Sequence, residues 1–161
     1  MDREGETAPA YLEMDSMGSE YGIDDIDRKI IDILMKDART PYLEIARILK
    51  ISEATVRKRV RSLESRGIIK GYTIKVDEKK LGYKVVALVG VDADPATFIN
   101  VAREIAEMEE ARMVAVSSGD HMIMAEIWAK DPDHFSSIIE RISRMNGVKR
   151  ICPAVILERI K

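Results

Sequence analysis

The chain has 161 residues, 46% of them apolar and 34% charged, enough for one ordinary domain or two small ones with a real core. Apolar runs such as Val85 to Val91 fall far short of the roughly 20 residues a bilayer-spanning helix needs, and the acidic N-terminus has no apolar signal core. A single cysteine, Cys152, excludes an internal disulfide and a thiolate metal cage, so the composition reads as a soluble protein of the reducing cytoplasm, and the net charge of −2 gives at first sight no reason to expect a polyanionic partner.

Residues 1–22 mix Gly, Ser, acids and scattered apolar residues without a period. They read as a disordered leader that the rest of the chain can do without, with Met14 and Met17 as alternatives to Met1 for the translation start. From Asp24 the pattern becomes helical: Asp24 can cap a helix, with Asp27 three residues on, and Ile26, Ile30, Ile31 and Leu34 share one face. Pro41 opens a second helix whose expected buried positions are Leu43, Ile45, Ala46 and Leu49. Lys50 and Ile51 make a turn, Ser52 caps a third helix, and Gly67 supplies a left-handed stop. Ile68 to Val76 reads as a β-hairpin around Lys70-Gly71. Three helices and a hairpin predict a winged helix-turn-helix over residues 23–76, followed by a charged linker over 77–84.

Residues 85–161 alternate differently. Strands are expected at Val85–Val91, Arg112–Ser117, Met122–Ala129 and Val148–Ile160, with helices at Pro95–Met108 and Pro132–Met145. The order β-α-β-β-α-β is the ferredoxin-like arrangement, with both helices on one face of an antiparallel sheet, and makes the whole an α+β protein. A monomer should then keep the opposite face polar. Here Val86 and Leu88 alternate with Val85, Ala87, Val89 and Val91, and Met122, Met124 and Ala125 accompany Ile123, Ile127 and Trp128. Both faces read as apolar, which predicts a homodimer through the sheet.

The acidic total conceals a local excess of positive charge. Residues 1–27 hold nine acids and one base, whereas residues 39–75 hold ten bases and three acids, a net of +7. Such concentration is what phosphate neutralisation requires. On the third helix Val56, Val60 and Leu63 form the buried stripe. Ala54, Thr55, Lys58, Arg61, Ser62 and Ser65 face the other way, with Arg57 and Arg59 on the flanks. Small residues near the helix start permit close approach to base edges, and long cations beside them reach guanine edges and phosphates. Thr55 and Lys58 are therefore expected on bases and Arg57, Arg59 and Arg61 on phosphate, although Arg59 could instead pair with an acid inside the domain. Ser52 holds the helix N-terminus, whose free N–H groups could meet a phosphate. Lys70 in the wing is a further candidate contact to the double-stranded DNA.

Three stretches carry a family resemblance: Asp24-Asp25-Ile26-Asp27-Arg28-Lys29-Ile30-Ile31, Ile51-Ser52-Glu53-Ala54-Thr55-Val56-Arg57-Lys58-Arg59-Val60, and Leu63-Glu64-Ser65-Arg66-Gly67-Ile68-Ile69-Lys70-Gly71-Tyr72. They resemble the leucine-responsive regulator and AsnC (Lrp/AsnC) family, in its archaeal branch, over roughly Ile23 to Lys161. The C-terminal half resembles that family's amino-acid-metabolism regulatory (RAM) domain. The resemblance implies a sequence-specific transcriptional regulator that binds promoter operators as dimers, often assembled into octamers, and that can regulate its own gene. It also implies an amino-acid or related effector held near the turn Ser117, Ser118, Gly119, Asp120, His121 and Met122. Many members carry an Asp where Met122 stands, and the loss of that carboxylate counts against ordinary amino-acid binding.

Other functions find less support. His121 and His134 are the only histidines, and no catalytic order, metal-ligand spacing, phosphate-cradling loop or cofactor motif accompanies them, so neither an enzyme nor a metal protein is expected. His134 reads as a solvated residue after a helix cap. The main alternative is a nucleoid-organising protein of low sequence preference, which would share the basic helix. The absence of Gln, the presence of only two Asn and the high charge content suggest a thermophile, with nine Met pulling mildly the other way.

Overall fold

The structure, a computed structural model, describes residues 22–160, so the expected leader lies outside the described residues except for Gly22. The chain divides between Ile74 and Lys75 into two compact units.

In the first unit, α1 spans Asp25–Lys36, α2 Tyr42–Leu49 and α3 Glu53–Ser65. Asp24 closes a reciprocal capping box: its carboxylate accepts the Asp27 N–H at 2.8 Å, and the Asp27 carboxylate accepts the Asp24 N–H at 3.4 Å. Pro41 is the N-cap of α2, its carbonyl taking the Glu44 and Ile45 N–H groups. Lys50 ends α2 in the left-handed conformation, φ 56° and ψ 42°, among the described residues the sole non-glycine with positive φ. That one residue turns the chain from α2 into α3. Ile30, Leu34, Ile45, Ala46, Val56 and Val60 form the core, with Ile26, Leu49 and Ile51 packed on it, and Leu63 is also fully buried. Leu43, expected inside, is 49% exposed. The buried stripe of α2 is therefore narrower than its apolar sequence suggests.

The expected hairpin after α3 does not form within the described chain. Gly67 takes the predicted left-handed conformation, φ 69°, and the Ile68 and Ile69 N–H groups both close on the Leu63 carbonyl. Residues 68–76 then run without a ladder partner. The physical reason lies at Lys70-Gly71: a two-residue hairpin turn needs a positive φ there, and neither residue has one. The linker is more ordered than its charge suggests. Asp77 accepts the Lys80 N–H at 3.0 Å, and backbone bonds from Leu81, Gly82 and Tyr83 close a turn over 77–83.

In the second unit the strands are β1 (Val85–Ala93), β2 (Ala111–Val116), β3 (Ile123–Ala129) and β4 (Val148–Val155), in the order β2-β3-β1-β4 and all antiparallel. Helix α4 (Phe98–Ala106) and helix α5 (Pro132–Ser143) join β1 to β2 and β3 to β4. Val85, Ala87, Val89 and Val91 of β1 and Ile123, Ala125 and Ile127 of β3 share one core with Val101 and Ile105 of α4 and Ile138 and Ile142 of α5. Both helices therefore cover one face, as the ferredoxin-like order demands. Strand β4 stops at Val155, five residues short of its expected end, and α4 starts three residues late because Pro95 to Thr97 form a turn.

The opposite face carries Val86, Leu88, Gly90, Met113, Met124, Trp128 and Cys152, as the pleat and register dictate. Ala125 belongs with Ile123 and Ile127 on the helix side. Between the apolar residues sits Glu126, which accepts the Trp128 Nε1–H at 2.8 Å and Arg159 at 3.0 Å. The face is apolar in its middle, with the compensated Glu126 inside it, and the same register places Asp92 beside Arg150 at its end.

Candidate nucleic-acid interface

Helix α3 is built to show one side. Ser52 is its N-cap, its hydroxyl accepting the Thr55 N–H at 3.0 Å and lying 2.7 Å from the Thr55 hydroxyl. The cap leaves the first N–H groups of the helix free, the positive end to which anions are drawn. Val56, Val60 and Leu63 are fully buried. On the other side Ala54, Lys58, Arg61 and Ser62 are exposed and Thr55 is half-buried. An open groove of about 480 Å3 runs along this side, lined by Asp27, Ala54, Thr55, Lys58, Arg59 and Ser62. The spacing of Ala54, Lys58 and Ser62, one turn apart, makes them a continuous stripe on its floor.

The three flanking arginines differ in what holds them. Arg57 donates to Glu53 one turn earlier at 2.6 Å and its guanidinium lies 5.3 Å over the Tyr42 ring, but the pair stays about half-exposed. Arg61 has no carboxylate partner among the described residues. Arg59 is committed inward: its Nη1 donates to Asp24 at 2.7 Å and to Asp27 at 2.8 Å. Its hydrogen bonds to these carboxylates, Asp27 first, raise the Arg59 pKa further, while the Asp27 N–H and then Arg59 hold the Asp24 carboxyl below the usual carboxylate range. This geometry fits the alternative reading of Arg59, a pairing with acids inside the domain: two carboxylates compensate its charge, and it ties α3 to the start of α1.

A sequence signal for this clamp exists. Asp27 lies on the same face as Ile30 and Leu34 and is 7% exposed, the only buried charged residue described. An acid on an apolar face requires a cation, and Arg59, next to buried Val60, is the one that reaches it. Lys70 is exposed in the segment that lacks a ladder partner and does not line the groove.

In the second unit the turn Ser117–Gly119–His121 is exposed at its tip. Ser117 Oγ donates to the His121 carbonyl, and the Ser117 N–H to the Met122 carbonyl at 3.0 Å. A carboxylate reaches this turn from β1. Asp92 accepts the Met122 N–H at 3.2 Å, the His121 Nδ1–H at 3.2 Å and Arg150 Nε at 2.8 Å. Arg150 first, then His121 and Met122, hold the Asp92 carboxyl below its usual range. Arg150 also approaches the Asp120 carbonyl at 3.5 Å. Asp92 and Arg150 escaped the sequence reading because their sites lie 30 and 28 residues from Met122 and only the strand register unites them. His134 is not simply solvated: its Nε2 faces Glu110 at 3.3 Å and its Nδ1 accepts the Lys130 N–H. No cluster of His, Cys, Asp or Glu able to hold a metal occurs among the described residues, nor does a helix long and apolar enough to cross a membrane.

Comparison with known proteins agrees with this architecture. Residues 23–64 match the model of the AsnC-type helix-turn-helix domain and residues 86–161 that of the Lrp/AsnC ligand binding domain. The chain is 55% identical over 140 residues to the HTH-type transcriptional regulator LrpA of Pyrococcus abyssi, covering 86% of this chain and 99% of that one. It is 36% identical over 136 residues to LrpA1 of Halobacterium salinarum, covering 84% and 96%. Among solved structures, B. subtilis LrpC superposes with a TM-score of 0.75 at 32% identity, covering 86% of this chain and 97% of that one. E. coli AsnC superposes with a TM-score of 0.74 at 26% identity, covering 86% and 95%. Both LrpA relatives are named as HTH-type transcriptional regulators, in line with the expectation of a regulator and not an enzyme. The chain belongs to the Lrp/AsnC family of helix-turn-helix transcriptional regulators.

Proposed function

We propose that this regulator reads operator DNA with α3 in the major groove, Thr55 and Lys58 meeting base edges while Ala54 and Ser62 let the helix approach. Arg57, Arg61, Lys70 and the N-terminus of α3 at Ser52 then contact phosphates, and Arg59 sets the tilt of the helix without touching DNA. The observation that carries this reading is the groove itself: its exposed floor holds Ala54, Thr55, Lys58 and Ser62, and the one cation in its wall, Arg59, is already neutralised. Two copies paired through the apolar sheet face around Leu88 and Met124 would present two such helices to a two-fold operator. The exposed turn 117–121, with Asp92 and Arg150 beside it, is the site proposed for an effector bearing both charges, as an amino acid does.

The test is Lys58→Ala, measured by fluorescence anisotropy on promoter DNA and on random duplex at one salt concentration. Loss of a base contact lowers the ratio of the two affinities about 5- to 150-fold, the equivalent of about 1–3 kcal/mol. An equal loss on both duplexes would reduce Lys58 to a phosphate contact.

A further inference from the structure

We propose that the acidic leader, residues 1–21, docks on the basic side of α3 and competes with DNA for it. The proposal rests on the reading of α3 as the DNA-contacting helix, and it departs from the expectation that the rest of the chain can do without the leader. Its occupant is a segment of this chain, and three observations select it.

The first is where the leader enters. Gly22, the first described residue, lies against the C-terminal end of α3, its carbonyl 3.5 Å from Arg66 Nη1. The second is reach. Twenty-one residues extend to at most about 70 Å at roughly 3.3 Å per residue, several times the length of about 20 Å that a 13-residue helix has. The third is charge. The leader carries Asp2, Glu4, Glu6, Glu13, Asp15 and Glu20 against Arg3 alone. The side of α3 that it can reach shows Lys58 and Arg61, neither with a carboxylate partner among the described residues, as well as Arg66. The family match begins at residue 23, so the leader is an addition to the matched domains.

A tether of this length holds its carboxylates near α3 at an effective concentration of about millimolar. Each carboxylate contact is weak, yet DNA must displace all of them together. The consequence is a lowered affinity for every duplex, specific or random, and a penalty that disappears as salt screens the leader.

The experiment uses the full chain and a full-length variant in which the six acids become amides: Asp2→Asn, Glu4→Gln, Glu6→Gln, Glu13→Gln, Asp15→Asn and Glu20→Gln. The probe is a fluorescent random-sequence duplex. The variant should bind about fivefold tighter at about 50 mM salt and less than about twofold tighter at about 300 mM. Without DNA, carbodiimide should couple Lys58 to a leader carboxylate in the unsubstituted chain, since that reagent joins only touching groups. Simple repulsion between the leader and DNA would change the affinities without that coupling, and its absence overturns the proposal. Equal affinities at both salts overturn it as well and leave the reading of α3 intact. If neither chain binds duplex DNA, the reading of α3 itself fails.

Discussion

Replacing Arg59 by alanine should make the helix-turn-helix melt earlier while leaving the salt dependence of DNA binding as it was. The Arg59 side chain is 27% exposed, Asp27 9% and Asp24 53%. An exposed ion pair contributes about 0–1 kcal/mol, whereas removing one partner of a buried pair costs about 3–5 kcal/mol. The Asp27 contact lies between these limits, so the loss should be about 2 kcal/mol. At about 4–8 °C per kcal/mol for a small domain, Tm should fall by about 8–16 °C in thermal melts followed by far-ultraviolet circular dichroism. A phosphate contact contributes about 0.9 to the slope of log K against log salt. Arg59→Ala should keep that slope, because its charge is spent inside the domain. An unchanged Tm with a slope reduced by about 0.9 would refute the clamp and return Arg59 to the phosphates. Acid gives a second arm. The Asp24 carboxyl is lowered from its ordinary 3.8, chiefly by the Asp27 N–H and next by Arg59. Its contribution is complete above that value and is lost as pH falls through the lower, folded value. Melting of the unsubstituted protein should therefore drop in that acid window, and Arg59→Ala, which keeps the N–H but loses the guanidinium, should drop less.

Two further expectations concern the second unit. Leu88→Glu places a second carboxylate opposite Glu126 in the register of β1 and β3, so sedimentation should show a shift from dimer to monomer; a retained dimer would move the interface off this face. A Cβ on Gly90 would stand 2.2 Å from His121 Cδ2, so Gly90→Ala should displace the ring from Asp92 and cost about 1–3 kcal/mol. In a His121→Ala background the same change should cost almost nothing, and a full cost there would place the strain elsewhere.

Local chemistry decided much of this protein in the sequence itself. The caps at Asp24 and Ser52, the stop at Gly67 and the 3.6-residue stripe Val56, Val60, Leu63 depend on residues within a turn or two of one another, and all appear in the structure. The same holds for the strand and helix order of the second unit, which period and turn residues specify, and for the exposed side of α3. Tertiary structure decided what depends on distant partners. Whether Arg59 faces DNA or α1 turns on two carboxylates 35 and 32 residues away. The carboxylate at the Met122 turn comes from another strand, and pleat and register sort Ala125 from Met124 and bring Glu126 into the apolar face. The missing hairpin shows the limit most clearly. Lys70-Gly71 has the composition of a turn, but composition only permits a positive φ and cannot require it, so residues 68–76 stay without a ladder partner in their own chain.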